Sequence, residues 1–126
     1  MILGVGIDTI ELRRISRAVE REGVSFLDEF LSDEERGNLP AGGPAREKHA
    51  ALRVAAKEAF LKALGTGRVG RIGWHDVEIV GEPRRGATVR LNGEARRRSD
   101  ARGVRRVHLA VSCTRLRAVA SVVLEG

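Results

Sequence analysis

The chain has 126 residues, of which 42% are hydrophobic and 32% charged, a balance typical of one folded domain and not of a disordered segment. Its single cysteine, Cys113, excludes an internal disulfide and any zinc site built from cysteines. The apolar start at residues 1–7 is too short to cross a membrane and lacks a basic leader, so we expect a cytoplasmic protein without membrane association.

Positive charge is concentrated in the second half of the chain. Lysine and arginine number 23 against 17 acidic residues, which gives a net charge of +6. Residues 1–67 carry 10 basic and 11 acidic side chains, whereas residues 68–126 carry 13 basic and 6 acidic ones. This asymmetry indicates an anionic partner, such as nucleic acid, a phosphate-rich cofactor, a membrane surface or an acidic protein, or else a solvated arginine-rich surface.

The first half of the chain predicts one strand followed by helices. The predicted elements are a buried strand over 1–7, a helix over about 10–22, a short helix from Ser32, and a long helix over about 45–64. Thr9 is the candidate cap of the first helix, and Ser32 with Glu35 forms a capping-box pattern. Gly65 is placed to end the long helix.

The second half changes to the period of β-strands. The predicted strands cover 75–80, 88–91, 105–112 and 116–124, with a short helix near 93–101. The last strand is nearly continuous Ala and Val, which is typical of a central strand. One strand, then helices, then sequential strands predict an α+β fold. We expect a single domain over 1–126 with a mostly antiparallel sheet packed against the long helix.

Residues 65–70 form a G-x-G-x-x-G string, but its context does not suit dinucleotide binding. That fingerprint requires a strand before the glycines and a helix after them, whereas here a long helix comes first and a loop follows. Two interpretations stay open: a plain loop that ends the helix, or a donor-rich turn beside Arg68 and Arg71 that approaches a phosphate closely.

Two carboxylates occupy unusual positions. Asp8 follows an apolar strand, where a carboxylate is costly unless it caps a helix, meets a cation or binds a metal. Glu58 lies in an alanine-rich helix four residues before Lys62, which also suits an ordinary surface ion pair. Two carboxylates from a strand and a helix can instead hold one Mg²⁺, with a lysine nearby for phosphate. The spacing alone leaves these alternatives open.

Two stretches of sequence resemble one known family. Gly4-Val5-Gly6-Ile7-Asp8, with Glu11, resembles the opening of the small holo-acyl-carrier-protein synthases, which are single-domain bacterial phosphopantetheinyl transferases. Residues 53–67 (RVAAKEAFLKALGTG) are similar almost throughout to the family's R-x-A-A-K-E-A-x-x-K-A-x-G-T-G signature. Weaker similarity continues to residues 118–120, so the resemblance covers essentially the whole chain.

The resemblance implies an enzyme that transfers 4′-phosphopantetheine from coenzyme A to a serine of an acyl carrier protein and releases adenosine 3′,5′-bisphosphate. It implies Mg²⁺ bound by Asp8 and Glu58, with Lys62 on the pyrophosphate as the third catalytic residue. The other implied contacts to coenzyme A are Arg46, Lys48, Arg53, Gly65, Thr66, Gly67, Pro83 and Arg84. The family also implies a homotrimer whose active sites are shared between neighbours.

The carrier protein of that family is acidic and helical. We therefore expect it to dock on the arginines of the helix over 10–22, where charge steers the encounter. These arginines are Arg13, Arg14, Arg17 and Arg21.

The sequence departs from the family pattern at three places. Cys113 follows Ser112 where the family often has Ser-His, and Glu82 stands in a turn that is often Gly-Lys-Pro. The segment 96–106, with six arginines, is more basic than the pattern. These departures bear on nucleotide affinity and partner choice.

A nucleic-acid-binding module is the alternative from another functional class. Aromatic residues make up only 3% of the chain, so stacking platforms for bases are scarce, and no zinc-finger, helix-turn-helix or RNP-type pattern occurs. A binder of coenzyme A or carrier protein without catalysis is the second alternative. Since Asp8, Glu58 and Lys62 are all present, we expect an enzyme and no nucleic-acid partner.

Overall fold

The computed structural model describes residues 1–65 and 72–126, with only the backbone at Arg84. The helices are α1 (Leu12–Glu22), α2 (Val24–Phe30), α3 (Asp33–Gly37), α4 (Gly43–Leu64) and α5 (Gly93–Ala101), with short 3₁₀ helices at Trp74–Asp76 and Pro83–Arg85. The strands are β1 (Ile2–Glu11), β2 (Val77–Val80), β3 (Thr88–Leu91), β4 (Arg106–Cys113) and β5 (Arg117–Glu125).

All strand pairs are antiparallel, as the sequence predicts, but they form two sheets. One sheet has the order β1-β5-β4, and β2 pairs with β3 in a separate hairpin. The prediction of a central position for the last strand is confirmed, because β5 lies between β1 and β4. The α+β class is confirmed, and the single predicted sheet is replaced by these two.

Strand β1 differs most from its prediction. It is an edge strand that alternates between two faces: Gly6, Asp8 and Ile10 are buried, whereas Val5 and Ile7 are 65% and 60% exposed. The prediction of a fully buried strand was wrong because only one face of this sheet is covered by a helix.

The predicted cap of the first helix was also wrong. Thr9 lies within β1, which continues to pair with β5 as far as Glu11 opposite Arg117. Helix α1 therefore begins only at Leu12, and Glu11 at its N-cap makes no side-chain cap hydrogen bond. The capping box at Ser32 and Glu35 is confirmed, and helix α2 was not predicted.

Helix α4 forms the centre of the fold. From Ala50 to Leu64 almost every side chain is buried, on all sides of the helix. A helix that is apolar all round must be enclosed, and α4 packs against β1 and β5 on one side and against α1 and β2 on others.

The backbone of β1 lies directly against α4. A methyl group added at Gly4 would overlap the carbonyl oxygen of Ala63, and one added at Gly6 would overlap that of Ala59. These two alanines are one helical turn apart, so two small residues on each element allow the close approach. The contact fixes the position of β1 along the axis of α4. Asp8 follows two residues after Gly6.

A buried ion pair joins α3 to α4. Lys57 is fully buried and donates to Glu35 Oε1 at 2.6 Å and to the carbonyl oxygen of Trp74 at 2.9 Å. The second oxygen of Glu35 accepts from the backbone N–H of Ile79 at 3.1 Å. Burial lowers the pKa of Lys57, and the charge of Glu35 opposes that shift. Because the pair is satisfied on both sides, it holds α3, α4 and β2 together.

We expect Gly6→Ala to destabilise the protein by roughly 1–3 kcal/mol, because the added methyl group must push β1 away from Ala59. Urea denaturation measures the loss. Gly37→Ala is the matched control, since a methyl group there meets no atom within 4 Å. Equal stability of the two variants would contradict the close contact.

Candidate active site

A carboxylate and a lysine meet where β1 crosses α4. Lys62 Nζ donates to Asp8 Oδ1 at 2.7 Å and to the carbonyl oxygen of Ile7 at 3.2 Å. The Asp8 side chain is only 10% exposed, whereas that of Lys62 is 56% exposed. The ion pair therefore joins a buried carboxylate to an amine that is exposed at the surface. The alternative pair that the sequence allowed, between Glu58 and Lys62, is not the ion pair that forms.

Glu58 brings a second carboxyl group to Asp8. Burial, together with hydrogen bonding to Asp8 and the negative charge of Asp8, raises the pKa of Glu58 to about 7, and the charges of Arg14 and Lys62 oppose this shift. The hydrogen bond to Asp8 in turn raises the pKa of Lys62. Two carboxyl groups in contact cannot both ionise freely, so this site favours a proton or another cation between them.

The two carboxyl groups fit a magnesium ion. Asp8 Oδ2 is buried and has no hydrogen-bond partner among the described residues, which leaves one carboxylate oxygen available to a cation. Mg²⁺ prefers oxygen ligands and uses one or two carboxylates, with water and phosphate oxygens at the other positions. Among residues 1–65 and 72–126 no group of three or more His, Cys, Asp or Glu could hold a metal. A metal at Asp8 and Glu58 would thus take its other ligands from water or substrate.

A basic groove lies beside the end of β1. Its volume is about 490 Å³, and its lining is Thr9, Ile10, Glu11, Arg13, Arg14, Arg17, Arg21 and Arg117. The four arginines of α1 are exposed, and none of them has an ion-pair partner among the described residues. Arg14 is close enough to Glu58 to influence its pKa, so the groove adjoins the carboxylates.

Arg117 is a groove residue that the sequence analysis missed. It lies on β5 and reaches Glu11 Oε1 at 3.3 Å. The two residues are directly opposite each other in the β1–β5 register. Only the pairing of the first and last strands could have revealed this neighbour, and nothing local in the sequence signals that pairing.

The predicted contacts to coenzyme A fall in a second region. Arg53 is almost fully buried, donates to the carbonyl oxygens of Gly81 at 3.2 Å and His49 at 3.3 Å, and thereby holds the turn before Pro83. A cavity of about 390 Å³ opens there, lined by Asn38, Leu39, Pro40, His49, Arg53, Gly81 and Glu82. The buried position of Arg53 makes it a support of this cavity as well as part of its wall.

The remaining predicted residues are distributed around these two regions. Arg46 donates to the carbonyl oxygen of Pro40 at 3.0 Å, and Lys48 is half-buried on the same stretch of α4. Gly65 ends α4 with a left-handed backbone, φ +81°. Thr66 and Gly67, and the side chain of Arg84, lie outside the described residues.

The two regions are well separated along α4. At 1.5 Å per residue, Arg53 lies about 13 Å before Lys62 along the helix axis, and Arg46 lies about 24 Å before it. The structure therefore brings Asp8, Glu58 and Lys62 together but does not bring Arg46 or Arg53 to them.

Comparison with known proteins decides the family. The sequence matches the 4′-phosphopantetheinyl transferase superfamily over residues 4–113. The holo-[acyl-carrier-protein] synthase of Koribacter versatilis is 44% identical over 125 residues, which cover 99% of both chains. The chain belongs to the holo-[acyl-carrier-protein] synthases. The family resemblance and the enzyme class predicted from the sequence, a 4′-phosphopantetheinyl transferase, are thus confirmed.

Solved structures of this family share the fold. The holo-[acyl-carrier-protein] synthase from Neisseria meningitidis superposes with a TM-score of 0.86 at 34% identity and covers all of both chains. The Helicobacter pylori synthase, solved in complex with coenzyme A, has a TM-score of 0.81 at 28% identity, over 96% of this chain and 99% of its own. The long enclosed helix and the antiparallel strands are therefore those of the family.

Glu82 and Cys113, the two residues at which the sequence analysis expects a departure from the family pattern, lie in different parts of the structure. Glu82 pairs with Arg85 at 3.3 Å, so a neighbouring arginine offsets the acid in this turn. Cys113 ends β4 opposite Ala118 and is half-buried.

In the described part of the chain, no helix is long and apolar enough to span a membrane. The cytoplasmic location and the single-domain organisation stay predictions.

We expect Glu58→Gln to raise the melting temperature of the synthase in EDTA at pH 8 by about 3 °C, the shift that roughly 1 kcal/mol produces in a domain of this size. The folded state binds the Glu58 proton more tightly than the unfolded state, so its contribution to stability is lost as the pH rises from 4.5 through about 7.

The gain should therefore be close to zero at pH 5. Differential scanning calorimetry at both pH values measures it, and exposed Glu29→Gln is the control. A gain that is the same at pH 5 and pH 8 would contradict the contact between the two carboxyl groups.

Proposed function

We propose that this synthase transfers 4′-phosphopantetheine from coenzyme A to a serine hydroxyl of an apo-acyl carrier protein, in a Mg²⁺-dependent reaction that releases adenosine 3′,5′-bisphosphate. The observation that carries the proposal is the cluster of Asp8, Glu58 and Lys62 beside a basic groove. The relatives' name, and the solved relatives that hold coenzyme A, support this choice of substrates.

Phosphoryl transfer requires positioning and charge neutralisation more than covalent chemistry. Asp8 and Glu58 would hold Mg²⁺, which supplies neutralisation of the charge on the pyrophosphate. Lys62 is held at the same place by Asp8, and its exposed amine can reach a phosphate oxygen and stabilise the departing bisphosphate. Each residue of the cluster thus has a role that its position supports.

The acidic carrier protein docks on α1. The groove there presents four arginines without ion-pair partners among the described residues, and it adjoins Glu58 through Arg14. Unpaired arginines steer an acidic partner and lose no existing contact when it binds. The serine of a carrier protein bound there would come close to the carboxylates.

The synthase is a homotrimer whose active sites lie between subunits. The outer face of the three-stranded sheet exposes Ile2, Val5 and Ile7 of β1 beside half-buried Val119 and Val123 of β5. An exposed apolar strip of this kind marks an interface.

A site shared between subunits also accounts for the distance along α4 between Lys62 and the region around Arg53. The region around Arg53, Gly81 and Pro83 in one subunit would complete the binding of coenzyme A at Asp8 of the next. Arg46 and Lys48, Gly65 with Thr66 and Gly67, and Arg84 complete the proposed set of contacts to coenzyme A.

Intact mass spectrometry of an apo-acyl carrier protein, incubated with coenzyme A and Mg²⁺, should show the gain of one phosphopantetheine, lost on adding EDTA. Asp8→Asn and Glu58→Gln should lower kcat by roughly 100-fold or more, because each replaces an anionic ligand of the metal by a neutral amide. Glu29→Gln should leave the rate unchanged.

Failure to modify any of several carrier proteins, despite measurable binding of coenzyme A, would replace the proposal with a binder that lacks catalysis. Full activity of Asp8→Asn would contradict the metal assignment alone.

Arg17→Glu with Arg21→Glu should raise the KM for the carrier protein roughly tenfold at low salt and flatten its salt dependence. This pair avoids Arg14, so Glu58 keeps its neighbour. Arg97→Glu with Arg106→Glu makes the same change in net charge on another surface and should leave that KM unchanged. If the KM for coenzyme A rose instead, the groove would bind the nucleotide and not the carrier.

Mixing two inactive variants tests the shared site. We expect Asp8→Asn and the double variant Arg46→Gln/Lys48→Gln to be weak alone at low coenzyme A concentration. After unfolding and refolding together, mixed trimers contain some sites with both regions intact, so activity should exceed the sum of the separate samples. Mixed samples no more active than that sum would contradict a shared site.

A further inference from the structure

The carboxyl end of helix α4 is capped by an arginine from another element. The last carbonyl groups of a helix have no partner within the helix, and a cation beside them interacts favourably with the helix dipole. The carbonyl oxygens of Leu64 and Ala63 accept hydrogen bonds from Arg102 Nη1, at 2.6 Å and 3.5 Å. Arg102 directly follows α5, so its side chain joins the end of one helix to the end of another.

The same guanidinium group also binds β1. Arg102 Nη2 donates to the carbonyl oxygen of Leu3 at 2.7 Å. Leu3 precedes Gly4, at which an added methyl group would overlap the carbonyl oxygen of Ala63. Arg102 therefore binds both elements at the point where their backbones are in close contact. Arginine suits this position because its planar group carries two terminal nitrogens, which can reach acceptors on two elements at once.

The proposed reaction gives no role to the arginine-rich segment 96–106, to which Arg102 belongs. Arg97 and Arg98 of this segment pair with Glu94 on their own helix. Arg102 instead uses both terminal nitrogens to bind backbone carbonyl oxygens of α4 and β1. Since these bonds commit its charge to the fold, we expect Arg102 to affect the reaction through the residues that it holds, and not by binding substrate.

The last turn of α4 carries two of the proposed contacts to coenzyme A. Lys62 lies two residues before Leu64, and Gly65 directly follows Leu64. Arg102 Nη1 lies 4.0 Å from the position that a Cβ atom would take at Gly65. The amine of Lys62 also binds β1, but the same amine contacts a phosphate oxygen in the proposed reaction. The bonds of Arg102 do not involve that amine, so they can hold the turn on β1 while coenzyme A is bound.

We propose that Arg102 is a positioning residue for coenzyme A. By holding the last turn of α4 on β1, it places the backbone at Gly65 and the start of the Lys62 side chain where the substrate binds. This role rests on the proposed function, which supplies both contacts to coenzyme A. Loss of the guanidinium group should therefore weaken the binding of coenzyme A and leave the groove on α1 unaffected.

Isothermal titration of coenzyme A into the full-length synthase, well below its melting temperature, measures this effect. Arg102→Gln should raise the Kd for coenzyme A about tenfold, because a displaced turn misaligns both contacts. The KM for coenzyme A should rise by a similar factor, whereas the KM for the carrier protein should stay within about twofold of the wild-type value, since only one substrate loses its contacts.

Two further variants make the test specific. Arg102→Lys should recover only part of the affinity, because an ammonium group keeps the charge but cannot bind both elements as the guanidinium does. It also answers the question if the glutamine variant does not fold. Arg98→Gln is the matched control: it removes the same charge from α5, where Arg98 pairs with Glu94, and should leave the Kd unchanged.

NMR spectra of the protein without coenzyme A separate positioning from direct contact. Arg102→Gln should already shift the backbone amide signals of Gly4 and Gly65, whereas Arg98→Gln should not. A lower melting temperature with an unchanged Kd would reduce Arg102 to structural support. A raised Kd with unchanged amide signals would make it a direct ligand, and either result would overturn the proposal. Wild-type synthase that does not bind coenzyme A would contradict the proposed function, and this role with it.

Discussion

The backbone contact between β1 and α4 is the constraint on which the rest of the molecule depends. Gly4 and Gly6 place the strand directly on Ala59 and Ala63, closer than any side chain on the strand would allow. That contact sets the register between a strand and a helix that are far apart in sequence. Asp8 follows two residues later on the same face and meets Lys62, one turn beyond Glu58. The positions of Asp8, Glu58 and Lys62 relative to one another thus depend on four small residues.

Lys57 and Glu58 are adjacent on α4 but lie in different surroundings. Lys57 points into the core, where Glu35 and a carbonyl oxygen satisfy its charge. Glu58 lies about 100° further around the helix, where burial and the neighbouring carboxyl group of Asp8 raise its pKa to about 7. A satisfied buried pair rigidifies the helix, whereas two carboxyl groups in contact are destabilising until a cation joins them.

Sequence reasoning succeeded where local signals determine structure. The capping box at Ser32, the strand over Thr88–Leu91 and the end of α4 at Gly65 depend on a few adjacent residues, and all three are where the sequence predicts them. The family signature also identified the residues of the cluster. Prediction from the sequence failed where tertiary pairing determines the ends of an element. Strand β1 extends past Thr9 because β5 pairs with it there. The pairing of Lys62 with Asp8 likewise depends on how a distant strand crosses the helix.

The distribution of charged residues along the sequence did not predict which part of the chain forms the basic groove beside Asp8, Glu58 and Lys62. The excess of arginines lies after residue 67, yet four of the five arginines that line the groove beside Glu58 belong to α1, in the half with a net charge of −1. Many arginines of the second half already have partners in the folded chain. Arg97 and Arg98 pair with Glu94, and Arg102 donates to the carbonyl oxygens of Leu64 at 2.6 Å and Leu3 at 2.7 Å. An arginine that caps a helix end or pairs with its own helix offers little to a partner. The charge that remains for binding is therefore set by which arginines the fold leaves unpaired, and that depends on tertiary structure.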